Sequence, residues 1–237
     1  MVPELPEVET TRRGIEPHIL GKKVTQVIIR QPMLRWPVSP ELGQCFTGQT
    51  IESVGRRSKY LFLTTQRGRV MIHLGMSGSL RVLTNSVSVE KHDHADFVFD
   101  NGKTIRFRDP RRFGSIFWLD GQEEHVLLEN LGPEPLMDEF SVAYLYDRSR
   151  GRKVAIKQFI MNAQIVVGVG NIYANEALFL AGIRPGIAAS RISRGRYEVL
   201  VATIKHVLEQ AIIAGGTTLK DFVKEDGSPG YFQQSLN

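Results

Sequence analysis

Residues 96–108 read DFVFDNGKTIRFR. Two alternating runs flank Asn101-Gly102, and side chains that recur at a period of two need a pleated strand. The Asn-Gly pair predicts a two-residue hairpin with left-handed backbone at its tip. Antiparallel β structure is therefore the starting point, and the neighbouring sequence extends it. KVTQVIIR (23–30), SKYLFLTT (58–65), RVMIHLG (69–75) and SLRVLT (79–84) are rich in branched and aromatic residues, and GSIFWLDG (114–121) ends the series. Together they make one β-rich domain of about 130 residues, a usual domain size.

Helical spacing stands on either side. Ahead of the strands, Val8, Ile15 and Ile19 line one face, with Pro6 in the first turn, where its missing N–H costs nothing. Glu7 and Glu9 sit near the positive end of that helix dipole, and Gly21 closes the segment as a C-cap. Beyond LGPEPL (131–136) the pattern turns helical again in SVAYLYDRS, VAIKQFIMN and NEALFLAG. The longest segment starts at Ser193, carries Tyr197, Leu200, Val201, Ile204, Val207, Leu208 and Ile212 on one face, and stops at Gly215-Gly216. The residues that follow are turn-rich, and no repeat or low-complexity tract is present.

Composition narrows the class. The 237 residues are 42% hydrophobic and 23% charged, with a formal net charge of +5. That is a globular balance with a lean toward polyanionic partners. No apolar stretch approaches a membrane span and the start lacks the basic-then-apolar plan of a secretory leader, so a cytoplasmic location is expected. Cys45 is the only cysteine, which excludes an internal disulfide and a multi-cysteine zinc site within these residues.

Several clusters carry chemistry. In DPRRFG (109–114), Pro110 ends a strand, so Arg111, Arg112 and Phe113 project from a loop: cations for phosphates and an apolar wedge for a base stack, or a solvated turn with Phe113 in the core. In HLGMSGSL (73–80), Met76 stands between glycines that allow close backbone approach and is either a second wedge or part of a tight strand connection. KHDH (91–94) puts His92 and His94 on one face if extended, but no third or fourth metal ligand lies nearby in sequence. In VVGVGNIYANEAL (166–178), Gly168 and Gly170 make a close turn and Asn171 opens a helix. An asparagine-capped helix start is an anion site suited to phosphate, and Arg152, Lys153 and Lys157 add positive charge. GGTTLKDFVKEDGSPGYF (215–232) reads as a long functional loop. At the start, a terminal proline would be a secondary amine titrating at about 8, nucleophilic near neutrality, with Glu4 beside it to move protons. Lys59 in RRSKY is a second proton carrier or a phosphate contact.

The stretches PELPEVET, RRSKYL, HLGMSGSLR, KHDH, DPRRFG, LGPEPL, VVGVGNIYANE and GGTTLKDF with its PGYF end come in one order along the chain. In that order they closely resemble bacterial formamidopyrimidine-DNA glycosylase, the repair enzyme for oxidised purines. The resemblance implies an α+β architecture: an N-terminal β-sandwich catalytic domain with flanking helices (1–132) and a C-terminal helical domain with a helix–two-turn–helix motif and a lesion-covering loop (133–237). It implies Pro3 as nucleophile, Glu4 as acid/base and Lys59 as the lysine of β-elimination. It also implies Met76, Arg111 and Phe113 filling the gap left by an extruded nucleotide, and His92, Arg152, Lys157 and Asn171 contacting DNA. The implied partner is duplex DNA with oxidised bases in a cleft between the domains, bound by a monomer and away from any membrane. The pyrimidine-specific branch fits less well, because VVGVGN and the PGYF loop resemble the purine branch.

Two departures bear on activity. The family carries a zinc ion in a C-terminal four-cysteine finger, and these residues include no such finger and therefore no expected cofactor. Val2 precedes Pro3, so while it is attached the Pro3 nitrogen is a tertiary amide without a nucleophilic lone pair. A lesion-binding protein without catalysis is the alternative expectation.

Overall fold

The structure is a computed structural model, and it describes residues 2–84, 87–121 and 124–215. The chain divides into two units, one built on Glu7–Glu124 and the other on His125–Ala214 together with Glu4–Pro6. Each has its own core.

The first unit holds α1 (Leu5–Ile19, from Glu7 onward), β1 (Val24–Ile29), α2 (Leu42–Phe46), β2 (Ser53–Arg57), β3 (Tyr60–Thr64), β4 (Gly68–His73), β5 (Ser79–Thr84), β6 (Asp93–Phe99), β7 (Lys103–Arg108) and β8 (Ser115–Asp120). The strands form two four-stranded sheets, ordered β1-β6-β7-β5 and β2-β3-β4-β8, with antiparallel pairing throughout. Alternation decides which side chains enter the core. Phe97, Phe99, Ile105 and Phe107 come from one sheet, and Leu61, Leu63, Val70, Ile72, Ile116 and Trp118 from the other, into one cluster closed by Val8, Ile15 and Ile19 of α1. The sandwich expected for this half is present.

The hairpin at its centre differs in one detail. Register pairs Val98 with Thr104, so the connection is the three residues Asp100–Gly102 rather than two. Only Gly102 is left-handed, at φ +75°, and its N–H donates to the Phe99 carbonyl. Asn101 instead uses its side chain, accepting from the Lys103 N–H and donating to the His18 carbonyl. A turn closed by a glycine in the left-handed region preserves the strand twist just as well. Gly21 also takes the left-handed conformation expected of a C-cap, at φ +71°.

The second unit packs α3 (Val142–Ser149), α4 (Ile156–Met161), α5 (Asn171–Leu180) and α6 (Arg194–Ile213). Ser141 caps α3 through a hydrogen bond from the Tyr144 N–H. All seven residues expected on the apolar face of α6 are buried. All of them but Ile212 join Tyr173, Ala174, Ala177 and Leu178 of α5 and Ile156, Phe159 and Ile160 of α4 in the second core. Arg150 lies 4.0 Å above the Tyr146 ring and donates to the Ser190 and Ile192 carbonyls, joining α3 to the segment before α6. Residues 162–170 connect α4 to α5. No helix among the described residues is long and apolar enough to cross a membrane.

Phe46 tests the first core. It is fully buried, edge-on to Phe97 at 5.5 Å and 6.0 Å from Trp118. Phe46→Ala is expected to lower unfolding free energy by about 3–5 kcal/mol, measured by urea denaturation.

Candidate functional site

In the helical unit, the Glu4 carboxylate is buried, with 2% of its surface exposed. It accepts hydrogen bonds from the backbone N–H groups of Gly170 at 2.8 Å, Ile172 at 2.9 Å and Tyr173 at 3.4 Å. These are donors at the start of α5 that the helix itself leaves unused, and the positive end of its dipole favours an anion there. The glycines make the approach possible. A Cβ on Gly170 would fall 2.3 Å from Glu4 Cδ, and one on Gly168, itself at φ +78°, would fall 2.6 Å from Leu5 Cβ. The Leu5 N–H also donates to the Gly168 carbonyl.

This revises the asparagine-cap reading of VVGVGN. The N-cap is Gly170 and makes no side-chain cap bond; Asn171 is the exposed first residue of the helix. The anion at this helix start is the chain's own Glu4. Arg152 is exposed and Lys157 half-buried near the start of α4. Pro3, covalently next to Glu4, is half-buried, and Val2 is exposed.

In the sheet unit, Met76, Arg111 and Phe113 line one cavity of about 620 Å³ with Met33, Leu34 and Arg35. Phe113 is 40% exposed, outside the core, and the Arg111 guanidinium lies 4.8 Å over its ring. Asp109 builds this face. Fully buried, it receives Ser77 Oγ at 2.5 Å and the Arg111 N–H at 3.3 Å on one oxygen, and the Gly114 N–H at 2.8 Å on the other. Ser77 Oγ in turn accepts from the Arg111 N–H. One carboxylate thus holds the turn bearing Met76 and the loop bearing Arg111 and Phe113. Gly75 lets them touch: a Cβ there would sit 2.4 Å from the Phe113 carbonyl carbon.

The KHDH segment is not extended at its start. His92 has φ +78°, so the two rings meet edge-to-face at 6.4 Å instead of sharing a strand face. His94 is buried, with Nε2 2.7 Å from the Asp109 carbonyl oxygen, while His92 is half-buried before β6.

Lys59 occupies the two-residue turn between β2 and β3, after Ser58, whose φ is +56°. The Arg56 guanidinium donates to the Ser58 carbonyl at 2.8 Å and to Glu9 at 3.1 Å. Glu9 also receives Arg12 and Arg13. Burial alone would push the Glu9 carboxyl up, but hydrogen bonds from Arg12, Arg13 and Arg56 and the Arg12 charge hold it below its ordinary 4.5. Near Lys59, burial pushes His73 down to about 4, assisted by the positive charges of Lys59 and Arg35. His73 is therefore neutral, with Nδ1 accepting the Gly75 N–H at 2.9 Å and Nε2 carrying the hydrogen. Arg56, His73 and Asp109 were not singled out from the sequence, and Glu9 was read only as an acid near the start of its helix. For Asp109 the signal was its place before Pro-Arg-Arg; for Glu9 it was Arg12 and Arg13 one helical turn on, while its third partner, Arg56, lies 47 positions away.

Cys45 is buried in the sheet-unit core, and among the described residues no group of three or more His, Cys, Asp or Glu side chains could hold a metal ion. The 216–237 part of the expected lesion-covering loop lies outside the described residues.

Residues 2–116 match the model of the formamidopyrimidine-DNA glycosylase N-terminal domain, and residues 131–223 that of the formamidopyrimidine-DNA glycosylase H2TH domain. The chain belongs to the formamidopyrimidine-DNA glycosylase family. It is 58% identical over 236 residues to the formamidopyrimidine-DNA glycosylase of Thioalkalivibrio sulfidiphilus, a match covering 99% of this chain and 87% of the relative. With that of Alcanivorax borkumensis it is 56% identical, covering 100% and 87%. Among solved structures of the family, the Lactococcus lactis enzyme bound non-covalently to DNA containing an AP site superposes with a TM-score of 0.84 at 32% identity, over 90% of this chain and 83% of that one. The protein from Thermus thermophilus gives 0.83 at 36%, over 97% and 84%.

Asp109→Asn replaces one of two acceptor oxygens, each facing a backbone N–H group, with a donor; an expected loss of about 1–3 kcal/mol is measurable by denaturation. Glu9 makes a pH prediction. Its lowered folded pKa means its stabilisation is present above the unfolded value near 4.5 and is lost as pH falls through the folded value. Glu9→Gln should flatten that acid limb when unfolding free energy is followed from about pH 6 downward.

Proposed function

We propose that this chain is a base-excision repair glycosylase with AP lyase activity, acting on oxidised purines such as 8-oxoguanine and formamidopyrimidines in duplex DNA. The observation that carries it is Glu4, buried and held by three backbone N–H groups directly after Pro3. A fixed carboxyl beside an N-terminal secondary amine is the arrangement imine chemistry needs. Family membership and the relatives' names support the same reading.

The target base is buried in the duplex and must be flipped out, at a cost of a few kcal/mol. Met76 and Phe113 fill the vacated stack, and Arg111 holds the distorted backbone. His92, Arg152, Lys157 and Asn171 supply further DNA contacts. In this division of labour residues 1–132 are the catalytic domain and 133–237 the helical DNA-binding domain. The Pro3 nitrogen attacks sugar C1′ as the glycosidic bond breaks, and the base leaves with a proton from Glu4 or solvent. The nitrogen gives up its proton, and the sugar ring opens as the C1′–O4′ bond breaks and O4′ takes a proton; the iminium so formed makes the C2′ proton acidic. Its removal, with Lys59 as a proton carrier, expels the 3′ phosphate by β-elimination, and δ-elimination of the 5′ phosphate follows.

The nitrogen is reactive only when Pro3 is the terminal residue. A chain that retains Val2 keeps Pro3 as a tertiary amide, and for that form the second reading applies: lesion binding without excision.

Borohydride trapping on duplex DNA carrying 8-oxoguanine, with the adduct mapped by mass spectrometry, tests this. The expected result is a covalent adduct at Pro3, with glycosylase activity lowered at least tenfold in Glu4→Gln. A sample that starts at Pro3 and binds the lesion duplex but gives no adduct overturns the mechanism.

A further inference from the structure

Between Arg148 and Tyr197 stand nine lysines and arginines and a single acid, Glu176, a surplus of eight in a chain whose formal net charge is +5. Some of those cations are already used. Arg148 lies over the Tyr144 ring, Arg150 is tied to backbone carbonyls, and Arg196 donates to the Gly182 carbonyl. Others are not. Among the described residues, no hydrogen bond or ion pair engages the side chains of Arg152, Lys153, Lys157, Arg184 or Arg191.

The fold gathers these five. The chain before and into α4 runs alongside the chain before α6. Ser190 N–H donates to the Arg152 carbonyl, Ala189 to Val154, Ile156 to Ile187 and Lys157 to Pro185, around an antiparallel bridge between Ala155 and Ala188. Arg191 therefore stands beside the Arg152 end of the paired stretch, and Arg184 beside the Lys157 end. Arg152, Lys153, Arg184 and Arg191 are exposed. Neither segment, 151–157 or 184–191, contains an acid. A solvated face usually mixes signs, because uncompensated cations repel one another; a one-sign stretch is a footprint for a polyanion.

We infer that Arg184 and Arg191 form a second row of phosphate contacts, parallel to the row of Arg152, Lys153 and Lys157. This lengthens the contact with the duplex backbone beyond the flipped nucleotide. The inference rests on the duplex-binding reading above. Its ligand is the sugar–phosphate backbone irrespective of base, so its contribution is the same on damaged and intact DNA.

The test is fluorescence anisotropy of the full chain with a labelled duplex, with or without 8-oxoguanine, across a salt series. Each phosphate contact contributes about 0.9 to the slope of log Kobs against log salt. R184Q/R191Q is expected to shallow that slope by about 1.8 on both duplexes. Its unfolding midpoint should stay unchanged. R184K/R191K, which keeps both charges, should retain the wild-type slope, as should Arg196→Gln, whose guanidinium is occupied internally. An unchanged slope in R184Q/R191Q, with wild-type protein binding normally, overturns the second row and leaves the proposed function standing. Wild-type protein that binds neither duplex overturns both.

Discussion

A buried carboxylate has to find donors, and Glu4 finds three at the start of one helix. Leaving such a group unpaired would cost several kcal/mol, so the contact sets terms for everything around it. It requires α5 to begin at that point, requires bare backbone at residues 168 and 170, and fixes the chain immediately after Pro3. The first residues of most domains are loose. Here the fourth residue is as enclosed as the core.

The same use of acids recurs. Glu9 gathers three arginines and, through Arg56, steadies the turn that carries Lys59. Asp109 collects a hydroxyl and two backbone N–H groups under the loop that bears Arg111 and Phe113. In each case negative charge is inside, bound to the protein's own donors, and the excess of positive charge is left toward solvent. A basic surface on this chain is thus partly a result of where its acids are kept.

Much of this was legible in the sequence. Period-two alternation located most strands, and the α6 stripe was readable residue by residue, because burial on one face imposes its own periodicity. Strand β2 escaped: Ser53–Arg57 carries Gly55 and two arginines, and only its pairing with β3 makes it a strand. The five-residue α2 was too short to show a period. Met76, Arg111 and Phe113 stood out as chemical types, and the structure gathers them around one cavity. The supporting carboxylates were harder to see where their partners are distant: Arg56 is 47 positions from Glu9 and Ser77 is 32 from Asp109. Glu4 acts on backbone 166 to 169 positions away, and backbone donors have no signature in composition. The misread cap at Asn171 has the same origin: a local rule assigned the helix start to the nearest polar side chain, and a remote one took it.

Met76 and Phe113 are separated by more than thirty positions, yet Asp109, Ser77 and the Gly75 contact make their two loops a single body. They cannot be adjusted one at a time. Inserting one residue in either loop would change the seating of both, and a bulkier side chain at Gly75 would push them apart together. In evolutionary terms the pair drifts as a unit or not at all. Variation among relatives at this face should therefore appear as exchanges of the tip side chains on a backbone of constant length.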